Sequence, residues 1–307
     1  VKPLFDRVAV IGIGLIGSSL ARAMRAGGLA GTIAGFDLDA DVCRRAIACG
    51  AVDEAPSSLG AALKGADLVI VSTPVGAAPA VLAAVAAIAQ EGALVIDVGS
   101  VKGVIVEAAA ALSPRVHIVP CHPVAGTEQS GPEAGFATLF EERWAILTPL
   151  AREDGPYRAA VEKAAALWRA VGSNVEFMDH EHHDLALAIT SHLPHLIAFT
   201  LVGAADDLES VAEAEIVKYS AGGFRDFTRI AASDPVMWRD VFLNNKTAVL
   251  EVLGRFSEEL ALLQRAIRWG DAETLERVFA RGRSLRRAIV AAGQEKDVPN
   301  FGRDEKG

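Results

Sequence analysis

The sequence predicts an α/β protein in which a parallel sheet with helices on both faces is followed by an all-helical domain. Three observations carry this. Through the first half, short β-rich runs alternate with Ala-rich helical runs, the pattern that brings successive strands into one parallel sheet. A glycine-rich turn, GIGLIG, stands between the first apolar strand and the first helix. From Asp179 onward the pattern is almost wholly helical.

The strands are expected at Arg7 to Ile11, Thr32 to Asp37, Leu68 to Ser72, Leu94 to Val98 and His117 to Pro120, with a further one at Trp144 to Thr148. Helical runs lie between them, such as Leu15 to Gly27 and Ala40 to Gly50. Residues 77 to 89 are apolar and Ala-rich but too short to cross a bilayer, and read as a helix packed on the sheet. The polar segment AREDGPY is followed by an amphipathic helix over 156–172 and one more strand, SNVEFM. Long helical runs then follow at 180–206, 208–219, 235–269 and 271–293. The expected units are therefore 1–178, a helical domain over 179–293, and a polar tail over 294–307.

Composition agrees with two domains, since 307 residues exceed one small domain and 51% of them are apolar. The net charge of −9, with both signs mixed along the chain, argues against binding nucleic acid through its phosphates. A local site can still oppose that charge, so a small anionic substrate stays open. Cys43, Cys49 and Cys121 are few, odd in number and lack C-x-x-C spacing, which points to free thiols in a reducing compartment. Glycines interrupt the first apolar run, and no basic segment with a cleavage site is visible. A cytoplasmic protein without a membrane span is expected.

The segment VAVIGIGLIGSSLARAM carries G-x-G-x-x-G at Gly12, Gly14 and Gly17, with Leu15 and Ile16 inside the motif. Gly12 allows the tight turn, Gly14 lets the backbone approach a pyrophosphate, and Gly17 allows close helix–strand packing. The helix N-terminus then offers free N–H groups to phosphates. Alone the motif is weak. Here the second strand ends in Asp37, twenty residues after Gly17, where a carboxylate accepts from ribose hydroxyls and repels a 2′-phosphate. That is a Rossmann-type dinucleotide site, and it favours NAD over NADP. Asp39 and Asp41 add negative charge, and Arg44 and Arg45 are the nearest cations. The alternative is a ligand-free glycine turn with a surface Asp.

Open α/β sheets bind ligands beyond the carboxyl ends of their strands. Three segments fall there: Ser72, Thr73 and Pro74; Ser100 and Lys102; and CHPVAGTEQSG, with His122, Thr127 and Glu128. His122 follows a buried strand, and an imidazole can accept a proton at physiological pH. It is either a catalytic base or a loop histidine holding backbone groups. In ITSHLPHLIAF, His192 and His195 share one helix face near a disturbing Pro194. They are either ligand contacts or a structural pair. In SAGGFRDFTRIAASDPVMW, Arg225, Asp226 and Arg229 stand beside a glycine pair, with Trp238 following. A guanidinium fork suits a carboxylate, and the alternative is an arginine on an exposed helix surface. HEHHD, over 180–184, lacks the H-E-x-x-H spacing and reads as a polar helix start rather than a metal site.

Taken together, GIGLIGSSLA, FDLD, STPV, DVGSVK, HPVAGTEQSG, SHLPH and SAGGFRDFTRIA resemble the prephenate/arogenate (cyclohexadienyl) dehydrogenase family, in order from Val8 to about Trp238. The resemblance implies a nucleotide domain, a helical dimerisation domain and an active site in the cleft between them. It implies NAD-dependent oxidative decarboxylation of prephenate and/or arogenate in tyrosine biosynthesis. By the same resemblance, His122 is the catalytic histidine at the ring hydroxyl, Ser100 assists there, and Arg229 binds the ring carboxylate. One or both of His192 and His195 line the substrate pocket. Glu128 is a site residue at the domain interface, and Thr73 and Pro74 lie near the cofactor. Thr127 and Arg225 fall in the same motifs as substrate-site candidates, Ser72 as a cofactor-site candidate.

Two rival readings remain at this stage. One is a hydroxyacid dehydrogenase of the 6-phosphogluconate dehydrogenase type, whose helical-domain lysine base would be Lys218 or Lys246, although neither sits in a matching motif. The other is a non-catalytic NAD-sensing module that reports redox state through its dimer. A homodimer is expected in any case. The run 235–293 has more apolar positions than one helical layer needs, among them Val249, Leu250, Leu253, Phe256, Leu260 and Leu263.

Overall fold

The computed structural model describes residues 2–112, 114–206 and 222–291. Five strands form one parallel sheet: β1 (Phe5–Ile11), β2 (Ala30–Phe36), β3 (Leu68–Val71), β4 (Leu94–Asp97) and β5 (His117–Val119), in the order β2-β1-β3-β4-β5. Their sequences read as unbroken apolar runs because both faces of the sheet are covered. Alternate residues point to opposite faces. Val8, Val10, Leu68, Ile70, Leu94 and Ile96 pack on one side, against α1 (Leu15–Ala26) and α6 (Gly155–Ala170). Ala9, Ile11, Val69, Val71 and Val95 pack on the other, against α4 (Ala78–Ile88) and α5 (Gly103–Ala110). The fully buried Leu20 and Met24 fasten α1 to the sheet, each contributing about 1.5–3 kcal/mol. Two further helices, α2 (Ala40–Ala48) and α3 (Leu59–Leu63), complete the crossovers.

The strand order reverses between β1 and β3. In an open α/β sheet that reversal opens a crevice beyond the carboxyl ends of the two strands. Gly12–Gly14 follows β1 there and Ser72–Pro74 follows β3.

The strands at Trp144 and in SNVEFM do not extend this sheet. β6 (Cys121–Pro123), β7 (Trp144–Leu147) and β8 (Asn174–Phe177) form a second, three-stranded sheet, antiparallel between β6 and β7 and parallel between β7 and β8. Pro120 has no N–H for a ladder, so the chain breaks between β5 and β6. His122 is accordingly a strand residue opposite Ile146, not a loop residue.

The helical unit departs from the expected long rods in two places. The run 180–206 is α7 (His180–Leu187), a π-helical turn (Ala188–His192) and α8 (Leu193–Asp206). Pro194 cannot donate to the carbonyl four residues earlier, and a wide turn before it absorbs the mismatch. The run 235–269 is α10 (Pro235–Asn244) and α11 (Lys246–Trp269), broken at Asn245. Before them stand α9 (Gly222–Thr228) and a 3₁₀ turn, Arg229–Ala232, and after them α12 (Ala272–Ala291). The expected helix 208–219, the polar tail, Lys218, and Ser220 and Ala221 of the arginine motif lie outside the described residues.

The stretch His180–Ala205 is long and apolar enough to cross a membrane by length and composition. Yet it buries His183, Asp184 and His192 against the rest of the chain, which ties it to the protein. α12 buries no residue within the protomer.

Candidate active site

At the switch point, each glycine of the first turn has a reason for being one. Gly12 has φ +89°, and a Cβ there would lie 2.5 Å from the Ser72 carbonyl oxygen. A Cβ on Gly17 would run into the Gly12 carbonyl. Gly14 faces open space, with nothing within 4 Å of an added Cβ. No side chain caps the start of α1, so the N–H groups of Leu15, Ile16 and Gly17 begin a helix whose positive end is open to an anion. Asp37 directly follows β2 and closes the turn: its carboxylate accepts from Ile13 N at 3.1 Å and Asp39 N at 3.0 Å. Arg44 and Arg45 are engaged by Asp41, and Arg45 also by Glu133. This cradle fits a dinucleotide pyrophosphate. Beyond β3, Ser72 and Thr73 are half-buried and Pro74 is exposed. The Thr73 hydroxyl is buried without a hydrogen-bond partner.

The loop after β4 is anchored by a buried ion pair between Lys102 and Asp97. Lys102 Nζ also donates to the Cys121 carbonyl at 2.8 Å, while Asp97 accepts from Gly99 N at 2.8 Å and Cys121 N at 3.1 Å. Removing one partner of such a pair strands the other charge and costs about 3–5 kcal/mol. The pair therefore fixes two things at once: the loop that carries Ser100, and the backbone just before His122.

His122 is buried. Its Nδ1 lies 2.8 Å from His183 Nε2, and His183 Nδ1 lies 2.8 Å from Asp184 Oδ1. Burial pushes the His122 imidazole well below the ordinary histidine range, and His183, Lys102 and His192 push the same way. His122 is thus a neutral imidazole at neutral pH. Asp184 also accepts from Lys102 N and Gly103 N, both at 2.8 Å, so a carboxylate of α7 caps the N-terminus of α5. HEHHD is not merely a polar helix start: His183 and Asp184 turn inward and join the two halves of the chain.

The break at Asn245 has a matching consequence. Its side-chain amide donates to the Asp184 carbonyl at 2.8 Å and meets His192 Nδ1 at 3.1 Å. The amide is the donor, so Nδ1 of a neutral His192 accepts and its proton sits on Nε2, which is buried without a partner. Burial lowers the His192 pKa to about 4, which keeps it neutral. His195 stacks on Trp238 with ring centroids 3.7 Å apart and bonds Ser191 O through Nδ1. Trp238 in turn packs on Val75 and Val101 of the nucleotide-binding half.

Arg229 and Glu128 are brought together across the chain, 3.6 Å apart and about half exposed. Thr127, half-buried beside Glu128, accepts from Gln129 N. Arg225 is exposed on α9, so neither arginine is a buried one within the protomer. Lys246, the rival base, is exposed at the start of α11. His183, Asp184 and Asn245 are the residues that sequence reasoning missed. The only signal for the first two was the HEHHD run itself.

Residues 20–177 match the family model described as prephenate dehydrogenase, nucleotide-binding domain, and residues 179–281 match prephenate dehydrogenase, dimerization domain. The chain belongs to the prephenate dehydrogenase family. Within it, the chain is 40% identical to the cyclohexadienyl dehydrogenase of Zymomonas mobilis, over 93% of this chain and 97% of that one. Among solved structures, it is similar to prephenate dehydrogenase from Aquifex aeolicus in complex with hydroxyphenyl propionate and NAD+, at 34% identity and a TM-score of 0.83, covering 93% and 98% of the two chains. Synechocystis arogenate dehydrogenase is a further neighbour, at 26% identity and a TM-score of 0.74, covering 92% and 99%. Prephenate dehydrogenase family membership thus spans both halves of the fold, and the parallel-sheet domain followed by a helical domain is the architecture the sequence predicts.

Proposed function

We propose that the chain carries out the NAD-dependent oxidative decarboxylation of prephenate and/or arogenate, giving 4-hydroxyphenylpyruvate and/or tyrosine in tyrosine biosynthesis. The observation that carries this reading is His122, a buried imidazole held neutral at the junction of the two halves. These substrates carry a hydroxyl and a carboxylate at opposite ends of a cyclohexadiene. Loss of hydride from the hydroxyl-bearing carbon gives a dienone that sheds carbon dioxide readily, because the ring becomes aromatic.

When bound, NAD supplies the hydride acceptor. Gly12, Gly14, Leu15, Ile16 and Gly17 would hold its pyrophosphate and Asp37 its ribose, with Ser72, Thr73 and Pro74 along its nicotinamide end. His122 takes the hydroxyl proton, and Ser100 assists at the same oxygen. Arg229 orients the ring carboxylate. It must orient more than stabilise, since equal grip on substrate and transition state adds nothing to the chemical step. His192 offers its buried Nε2–H to a substrate oxygen, a donor with nothing else to satisfy it. Thr127, Glu128, Arg225 and His195 complete the substrate side. The test is turnover with each substrate and each of NAD and NADP. Failure with both substrates would overturn the reading.

NAD preference rests on Asp37. Asp37→Ser removes the charge that opposes a 2′-phosphate and should raise NADP use relative to NAD. A wild type that already prefers NADP removes Asp37 from this role.

The small-molecule enzyme proposed here is a cytoplasmic homodimer built by the helical domain. Leu250 and Leu260 of α11 are exposed, as are Ile267 and Trp269 at its end and Phe279 and Leu285 of α12. Val249, by contrast, packs inside the protomer. Large apolar side chains left exposed along these two helices suit the isologous face of a twofold dimer. Light scattering at micromolar concentration should give twice the protomer mass, and a monomer would exclude this arrangement.

A further inference from the structure

The contacts around His122 settle where its protons are. Burial opposes ionisation of Asp184, but hydrogen bonds from His183 and from the N–H groups of Lys102 and Gly103 hold its carboxyl below the usual range. It is therefore an ionised, acceptor-only group. The third contact, at 2.8 Å, must then come from His183 Nδ1–H. Burial keeps His183 neutral, overcoming the pull of Asp184, so its Nε2 carries a lone pair. The 2.8 Å contact between the two rings then has one polarity: His122 Nδ1–H donates and His183 Nε2 accepts. The proton of neutral His122 is thereby used on Nδ1, and its lone pair is on Nε2.

We propose that Asp184 and His183 are a positioning pair that fixes the tautomer of His122, so that Nε2 is the atom that takes the substrate hydroxyl proton. This rests on the functional reading above. In the step itself, the O–H bond breaks and its proton passes to His122 Nε2. The O–H electron pair becomes the second bond of the carbonyl as the C–H pair leaves as hydride. His122, now an imidazolium, still donates Nδ1–H to His183, with the Asp184 carboxylate behind it to balance the charge. An imidazole without the pair can hold its proton on Nε2 instead and would then present a donor, not a base, to the hydroxyl. Depriving a catalytic histidine of its orienting carboxylate has this consequence in serine proteases.

The groups that face His122 are His183 from α7, Lys102 from the loop before α5, and His192 from the π turn; Asp97 lies behind Lys102 and Asp184 behind His183. Burial and the Lys102 charge disfavour its imidazolium, so the negative end of the relay is what makes proton uptake tolerable.

The test uses the whole chain in its native assembly with 15N-labelled histidine, His122 being assigned by its loss in His122→Asn. Without cofactor or substrate, the wild type should show a protonated, pyrrole-type Nδ1 and a pyridine-type Nε2 for neutral His122. His183→Ala should populate the other tautomer. It should also lower kcat about 10–10²-fold, less than the 10²–10⁴-fold that a general base itself supplies, with KM for substrate changed less than threefold. His183→Gln, whose amide oxygen can accept from Nδ1–H, should restore the tautomer and much of kcat. Asp184→Asn should act in the same direction, but it also uncaps α5, so the His183 variants decide. An unchanged tautomer in His183→Ala overturns the proposal even if kcat falls, since the loss then has another cause. A changed tautomer with kcat intact overturns it equally. If the wild type turns over neither prephenate nor arogenate, the functional reading fails, while the nitrogen spectrum still decides whether the pair fixes the ring.

Discussion

Replacing His122 by Asn should lower kcat by about 10²–10⁴-fold, the scale of a lost general base, with a much smaller effect on NAD affinity. Asn keeps a polar group of similar size but cannot take up the proton. The pH profile is the sharper readout. A base must be neutral to act, so kcat/KM falls as pH drops through its pKa. Burial, His183, Lys102 and His192 all push the His122 pKa downward, so this acid limb should lie below the ordinary histidine value of about 6.5. The Asn variant should lack that limb. Near-normal turnover, or a limb that survives the substitution, would move the role to His192 or His195.

Arg229→Ala should raise KM for the substrate by about 30- to 100-fold, the loss of roughly 2–3 kcal/mol that a charge-assisted contact to a carboxylate carries. NAD affinity should stay close to the wild-type value, because the lost contact belongs to the substrate. Arg229 sits 3.6 Å from Glu128 at the junction of the two halves, and its charge is felt by His195. Arg225→Ala is the control: it lies on the same stretch, exposed on α9. Should only the Arg225 variant lose substrate affinity, the carboxylate contact belongs to that residue.

Much of the fold was legible because its signals are local. An unbroken apolar run such as LVIV, bounded by a Ser-Thr-Pro turn, has few ways to be anything but a buried strand, and β3 is found there. Gly12 and Gly17 were readable because the turn requires a positive φ at one and leaves no room for a Cβ at the other. Helix interiors were harder. The runs 180–206 and 235–269 have helical periodicity throughout, and that periodicity does not reveal a widened or broken turn. Pro194 warned of a disturbance but not that it would bury His192, and nothing beside Asn245 marked a break.

By itself, the sequence determined the parallel-sheet domain followed by a helical one, the glycine turn with Asp37 just past the second strand, and the position of His122 beyond a sheet strand. All of these depend on residues within one supersecondary unit, where spacing and composition are enough. Only the tertiary structure decided how His122 is held. His183 reaches it across 61 positions, Asp184 reaches Lys102 across 82, and Asn245 reaches Asp184 across 61. In sequence, HEHHD has the composition of a solvated helix start. What makes His183 and Asp184 functional is the removal of water when α7 packs on α5. In that dry junction a carboxylate and an imidazole must satisfy one another, and so each fixes where the next proton sits.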